Sequence, residues 1–114
     1  MKKALAILLF TAVSMFAEGS VIHVVTIKWK TGTTALQIQT ALDGVKTVQK
    51  EYPKIKRVWV KSIKVQGDGI THAVAMEFEN EQALKDYTGT NAQKNWYKVY
   101  LSIREESTTF DITN

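Results

Sequence analysis

Apolar and polar positions follow two different periods along this chain, and the periods switch in an ordered way. Val21 to Lys30 (VIHVVTIKWK) is β-branched and aromatic and predicts a strand. One face would carry His23, Val25, Ile27 and Trp29, the other Ile22, Val24, Thr26 and Lys28. Both faces are largely apolar near the start, as in a central strand covered on two sides. Thr31-Gly32-Thr33 breaks it. Thr34 followed by Gln37 fits a capping box. Ile38, Ala41, Leu42, Val45 and Val48 then recur on one face of a helix running to about Glu51, where Pro53 stops it. Gly44 inside that helix weakens it slightly. Ile55 to Val65 predicts a second strand, Gln66-Gly67-Asp68-Gly69 a turn, and Ile70 to Phe78 a third strand. Asn80 caps a second helix whose buried side is Ala83, Leu84 and Tyr87. Thr88 to Asn95 reads as polar and irregular, and Trp96 to Ile103 fits a helix nearly as well as a strand. Glu106 to Thr113 closes with a strand carrying Phe110 and Ile112.

This order, β-α-β-β-α-β, is the split βαβ or ferredoxin-like arrangement, an α+β fold with a four-stranded antiparallel sheet and both helices on one face. The first and third strands become central neighbours. His23, Trp29, His72, Met76 and Phe78 are then expected on one shared face, read here as the uncovered one. An apolar face of that size needs a partner, and a second copy of the chain is the simplest.

The segment before Val21 follows a different rule. Met1-Lys2-Lys3 is a short basic start, and Ala4 to Ala17 is almost wholly apolar. That is the layout of a secretory signal peptide, too short to span a bilayer comfortably. Residues 1–19 are therefore expected to be a signal peptide and 20–114 the exported, periplasmic or secreted domain. Cleavage after Gly19 leaves small residues at Ala17 and Gly19; cuts after Ser14 or Ala17 are the alternatives. No cysteine follows the apolar run, so no lipid anchor is expected, nor any other membrane anchor after cleavage. Losing Lys2, Lys3 and Glu18 would take the net charge from +4 to about +3, an excess that does not by itself predict a polyanionic partner.

Composition narrows the chemistry further. The 114 residues contain no cysteine, which excludes a disulfide framework, a thiolate metal site and a cysteine nucleophile. His23 and His72 are the only histidines, so one chain cannot supply a three-histidine metal site. No metal and no cofactor is expected. Lys54, Lys56, Arg57, Lys61 and Lys64 with Trp59 make a basic, aromatic-bearing strand of the kind that binds single-stranded nucleic acid. No nucleic-acid signature accompanies it, and lysines on an edge strand block edge-to-edge pairing; no nucleic-acid partner is expected.

Two segments resemble a known family. His23-Val24-Val25-Thr26-Ile27-Lys28-Trp29-Lys30-Thr31-Gly32-Thr33-Thr34 is similar to the opening of the stress-responsive A/B barrel (Dabb) domain. Gly69-Ile70-Thr71-His72-Ala73, continuing through Phe78-Glu79-Asn80-Glu81 to Ala83-Leu84-Lys85-Asp86-Tyr87, resembles its central signature, a Gly-Tyr-Thr-His-Ala strand running into an acidic capped helix that ends in tyrosine. The resemblance implies a dimeric α/β barrel in which two sheets pack around a cavity. Some relatives are enzymes on polyketide-like or aromatic compounds. In those, a His-Pro-x-His stretch after the helix's tyrosine supplies an acid/base histidine. Here Thr90-Asn91-Ala92-Gln93 stands in its place, and Gln93 hydrogen-bonds without exchanging protons near neutrality.

The candidate site residues follow. His23 and His72 suit an acid/base pair, two metal ligands, or polar lining of a cavity. Tyr87 suits a hydroxyl at the cavity mouth or a core ring. Trp96, Tyr97 and Tyr100 suit dimer interface or domain core more than an aromatic lid over an apolar ligand. The expected function is an exported homodimer that binds a small apolar or aromatic molecule, with the stress-related role that the resemblance implies. His23, His72, Tyr87 and Gln93 would provide polar contacts and Trp29, Met76, Phe78 and Trp96 the apolar wall. The alternatives are a cofactor-free cyclase, isomerase or monooxygenase-like enzyme using Tyr87 with His23 or His72, and a structural dimer with a closed barrel.

Overall fold

The computed structural model describes residues 19–114; the signal peptide expected over residues 1–19 lies, apart from Gly19, outside them. Strand β1 (Val21–Trp29) leads to helix α1 (Ala35–Glu51), strands β2 (Ile55–Trp59) and β3 (His72–Phe78), helices α2 (Glu81–Tyr87) and α3 (Asn91–Ile103), and strand β4 (Arg104–Thr113). The sheet is antiparallel in the order β2-β3-β1-β4, the ferredoxin-like topology. Local chemistry sets the helix starts. The Thr34 hydroxyl accepts from the Gln37 N–H while the Gln37 amide oxygen accepts from the Thr34 N–H. Asn80 caps α2 through the Ala83 N–H.

Three expectations change. Residues 88–95 are not wholly irregular: Thr90 caps α3 by accepting from the Gln93 N–H, and the helix begins at Asn91. Ala92, Trp96, Tyr100 and Ile103 then fall on one buried stripe, which resolves the ambiguous 96–103 segment as helix. Strand β2 ends at Trp59, well short of Val65: its ladder with β3 stops at the Trp59–Ala75 pair, and the chain beyond leaves the sheet, with Ile63 fully exposed. The third correction concerns the sheet's faces. His23, Trp29, His72, Met76 and Phe78 do share a face, since His23 pairs with Met76 and Ile27 with His72. That face, however, is the one covered by the chain's own helices. Val25, Ile27, Val74, Met76 and Phe78 are buried against Leu42, Val45, Val48, Ala83, Tyr87, Trp96 and Tyr100. The third helix supplies the rings that complete this cover. The uncovered face carries Ile22, Val24, Thr26 and Lys28 with their registered partners, among them Ala75, Phe110 and Ile112.

Candidate functional site

Helices α2 and α3 meet the sheet over β1, β3 and β4 and leave a cavity of about 50 Å³. Its sheet wall is His23, Val25 and Met76 with Ser107 and Thr109; its helix wall is Tyr87, Trp96, Tyr97 and Tyr100; Arg104 stands at the junction of α3 and β4. Strand register builds the sheet wall, because Ser107, Thr109 and Asp111 lie opposite Ile27, Val25 and His23. Helical spacing builds the other, because Trp96 and Tyr100 are four residues apart and stack at 4.3 Å.

Three buried polar atoms here have no hydrogen-bond partner among the described residues: the hydroxyls of Tyr87 and Tyr100, and Nε of Arg104. Leaving one such atom dry costs about 1–3 kcal/mol, so each of the three calls for an acceptor. The space takes a water-sized guest as it stands. Burial pushes the Tyr87 hydroxyl far above its ordinary range, with nearby Tyr97 adding to the shift. Burial raises Tyr100 too, while the Ser107 hydroxyl and the Arg104 guanidinium act against it. Both phenols therefore stay protonated and able to donate. Arg104 Nη1 donates to Ser107 Oγ at 3.2 Å and the guanidinium sits 5.6 Å from the Tyr100 ring centroid.

His23 brings a second kind of chemistry. Its Nδ1 lies 2.6 Å from Asp111 Oδ1. An ionised carboxylate only accepts, so Nδ1 carries the proton and the neutral ring keeps its lone pair on Nε2. The arrangement thus combines an oriented imidazole, two donor phenols and a guanidinium.

Of the expected site residues, His23, Met76, Tyr87 and Trp96 come together on this cavity. Phe78 lies behind it as core, edge-on to His23 at 6.1 Å and 5.4 Å from the Tyr87 ring. Gln93 faces the α2–α3 turn: its amide accepts from the Gly89 N–H at 2.7 Å and donates to the Tyr97 hydroxyl at 3.3 Å. Trp29 and His72 pair with each other elsewhere, Trp29 Nε1 donating to His72 Nδ1 at 2.9 Å. Arg104, Ser107 and Thr109 were not among the sequence-derived candidates. Alternation along β4 groups the last two, but only the register with β1 brings them to the cavity. Among the described residues, no group of acidic, histidine or cysteine side chains could hold a metal ion, and no helix is long and apolar enough to cross a membrane.

The Trp29–His72 contact has a consequence for stability. The indole N–H can only donate, so protonating Nδ1 would set two N–H groups against each other. Burial already holds the His72 imidazole below its ordinary value. The unfolded chain then binds this proton more tightly than the folded one, so stability is full above about pH 6.5 and falls as the pH drops below it. Thermal melts are expected to give a lower Tm at pH 5.5 than at pH 7.5. The His72→Gln variant should lose most of that difference; an unchanged pH dependence would show that His72 does not drive it.

The sequence profile described as Stress responsive A/B Barrel Domain (Dabb) matches residues 21–114. Among solved structures, an Arabidopsis thaliana protein is 21% identical with a TM-score of 0.73, the match covering 82% of this chain and 94% of that one. A dimeric ferredoxin-like protein of unknown function from Thermobifida fusca is 10% identical with a TM-score of 0.72, covering 85% and 92%. The hydroxynitrile lyase from Passiflora edulis is 17% identical with a TM-score of 0.71, covering 83% and 93%. At these identities the structures establish a shared fold. No curated protein matches the chain in sequence.

Proposed function

The chain belongs to the stress responsive A/B barrel domain (Dabb) family, and from that premise we propose that it is an exported homodimer that binds a small aromatic or apolar molecule bearing an oxygen function. The ligand site is the cavity between the sheet and α2–α3, and the dimer forms through the uncovered sheet face. The observation that carries the binding reading is the convergence of three unpartnered buried donors, Tyr87 Oη, Tyr100 Oη and Arg104 Nε, beside aromatic walls. A ring stacks against Trp96, Tyr97 and Tyr100 while its oxygen takes up the donors. Because the closed space is smaller than a ring, entry displaces Tyr97, whose hydroxyl is held only by Gln93 among the described residues. The dimeric Thermobifida fusca fold neighbour supports a pairing of two chains.

The test uses phenol, the smallest molecule combining a ring and a hydroxyl, titrated into the full protein and followed by amide NMR shifts. Saturable shifts around the cavity are expected. Arg104→Met and Tyr87→Phe should each weaken binding, by roughly 10–100-fold for the charged donor. Phenol binding that neither variant weakens would overturn the site; a protein that stays monomeric in native mass spectrometry would overturn the dimer.

The His23–Asp111 contact favours a second reading, a cofactor-free cyclase, isomerase or monooxygenase-like enzyme. His23 Nε2 would take a proton next to a carbonyl whose oxygen Tyr87, Tyr100 and Arg104 stabilise. Turnover with a pH profile abolished by Asp111→Asn would separate catalysis from binding.

A further inference from the structure

A second recess of about 420 Å³ lies between α1 and the segment joining β2 to β3, and it shares no lining residue with the cavity above. Its chemistry is one-sided. Lys46 and Lys61 are on its wall and no carboxylate is; among the described residues neither lysine forms an ion pair. Leu42 and Val60 give it an apolar floor, and the hydroxyls of Ser62 and Thr71 stand at its edge.

His72 completes the wall, and its tautomer is fixed from behind. Trp29 Nε1 donates to His72 Nδ1, and the Thr71 hydroxyl lies 2.8 Å from the same nitrogen. An indole N–H has no lone pair to offer, so Nδ1 is the acceptor and the neutral ring must carry its proton on Nε2. Among the described residues no group takes that N–H, and it is not among the buried unpartnered atoms, so it is open to solvent at the recess. The lining therefore presents a directed neutral donor and two free ammonium groups with no acidic competitor.

We propose that this recess binds a small molecule with an oxyanion head, phosphate or carboxylate, whose apolar body rests on Leu42 and Val60. His72 Nε2–H gives the head its direction, and Lys46 and Lys61 balance its charge. Ammonium groups neutralise an anion as point charges without fixing its orientation, so the imidazole is the specifying contact. The inference is independent of the cavity reading, since none of its residues serves there.

The experiment follows the histidine ring resonances of the full ¹⁵N-labelled protein at pH 7.5 and constant ionic strength. The probes are inorganic phosphate and butyrate, with chloride as the control. The free protein is expected to show His72 protonated on Nε2. One or both probes should shift the His72 ring saturably, and chloride should not. Saturation by phosphate alone or by butyrate alone identifies the head. The Lys46→Gln/Lys61→Gln variant should weaken binding at least tenfold while keeping the wild-type melting temperature. Arg104→Met should leave the titration unchanged, which separates this recess from the cavity. A ring protonated on Nδ1, shifts matched by chloride, no saturation with either probe, or binding indifferent to both lysines would each overturn the proposal.

Discussion

Replacing Trp96 by alanine is expected to destabilise the protein by about 3–5 kcal/mol, the usual range for removing a buried tryptophan from a core. In a domain of this size that corresponds to a fall in Tm on the order of 20 °C. The ring is held in three ways. It stacks on Tyr100 with the planes 4° apart, its Nε1 donates to the Ala41 carbonyl at 2.9 Å, and it lies against Gly44. The last contact explains a glycine that reads as a weakness in the helix sequence. A Cβ at position 44 would meet Trp96 Cδ1 at 2.7 Å, closer than carbon atoms pack. Alanine in a helix interior normally gains about 1 kcal/mol over glycine, but here overpacking by about 1–3 kcal/mol opposes it. The stack and the hydrogen bond prevent the indole from moving away, so Gly44→Ala is expected to be destabilising. In a Trp96→Phe background, where the ring is smaller and makes no hydrogen bond, the same change should cost less or become favourable. Urea denaturation of the four proteins in this cycle reads the coupling directly. A wild-type background in which Gly44→Ala raises stability would refute the contact.

Placing arginine at Val24 is expected to convert the proposed dimer to monomer, raising its dissociation constant more than 100-fold, or about 2.7 kcal/mol. Val24 lies at the centre of the uncovered face, level with Ala75 on one side and Phe110 on the other, with Trp59 next to Ala75. Phe110 is 47% exposed and Trp59 41% in the single chain, so this row leaves aromatic surface in water. Glu77 lies one row along and is already satisfied: its carboxylate accepts from Ser20 Oγ at 2.8 Å and Arg57 Nε at 2.9 Å. Those hydrogen bonds hold its carboxyl below the ordinary range, so it brings no unpaired charge to the face. An arginine at Val24 would bury one in each copy, a cost that hydrophobic contact does not repay. Sedimentation velocity measures the outcome, and far-UV circular dichroism checks that the fold survives. A variant as dimeric as wild type would place the interface elsewhere.

The sequence carried the local decisions well, for reasons visible in particular residues. The capping box Thr34–Gln37, the cap at Asn80 and the stop before Pro53 act within a few positions, so spacing alone reveals them. Alternation in VIHVVTIKWK and ITHAVAMEF likewise groups the right side chains, because a strand's period is two whatever surrounds it. Alternation does not say which group meets the helices. When both faces of β1 are apolar, that choice depends on where α2 and α3 dock, and the third helix changes the answer. Its helical character was obscured because Trp96, Val99, Tyr100 and Ile103 fit a helix while alternation along the same segment fits a strand nearly as well, and its cap, Thr90, sits in a polar stretch.

The candidate site divides along the same line. His23, Met76, Tyr87 and Trp96 were legible from motif and pattern. Arg104, Ser107 and Thr109 were not, since an arginine at a helix–strand junction and two hydroxyl residues on an edge strand look like ordinary surface. Trp29 and His72 show the converse: chemically conspicuous side chains that satisfy each other away from the cavity. From sequence alone came the helix caps, the strand periods and hence the ferredoxin-like order of elements, all set by contacts between residues close in the chain. The covered face, the register that joins β4 to His23, and the recess beside His72 were decided by tertiary structure, because each depends on residues brought together from distant parts of the chain.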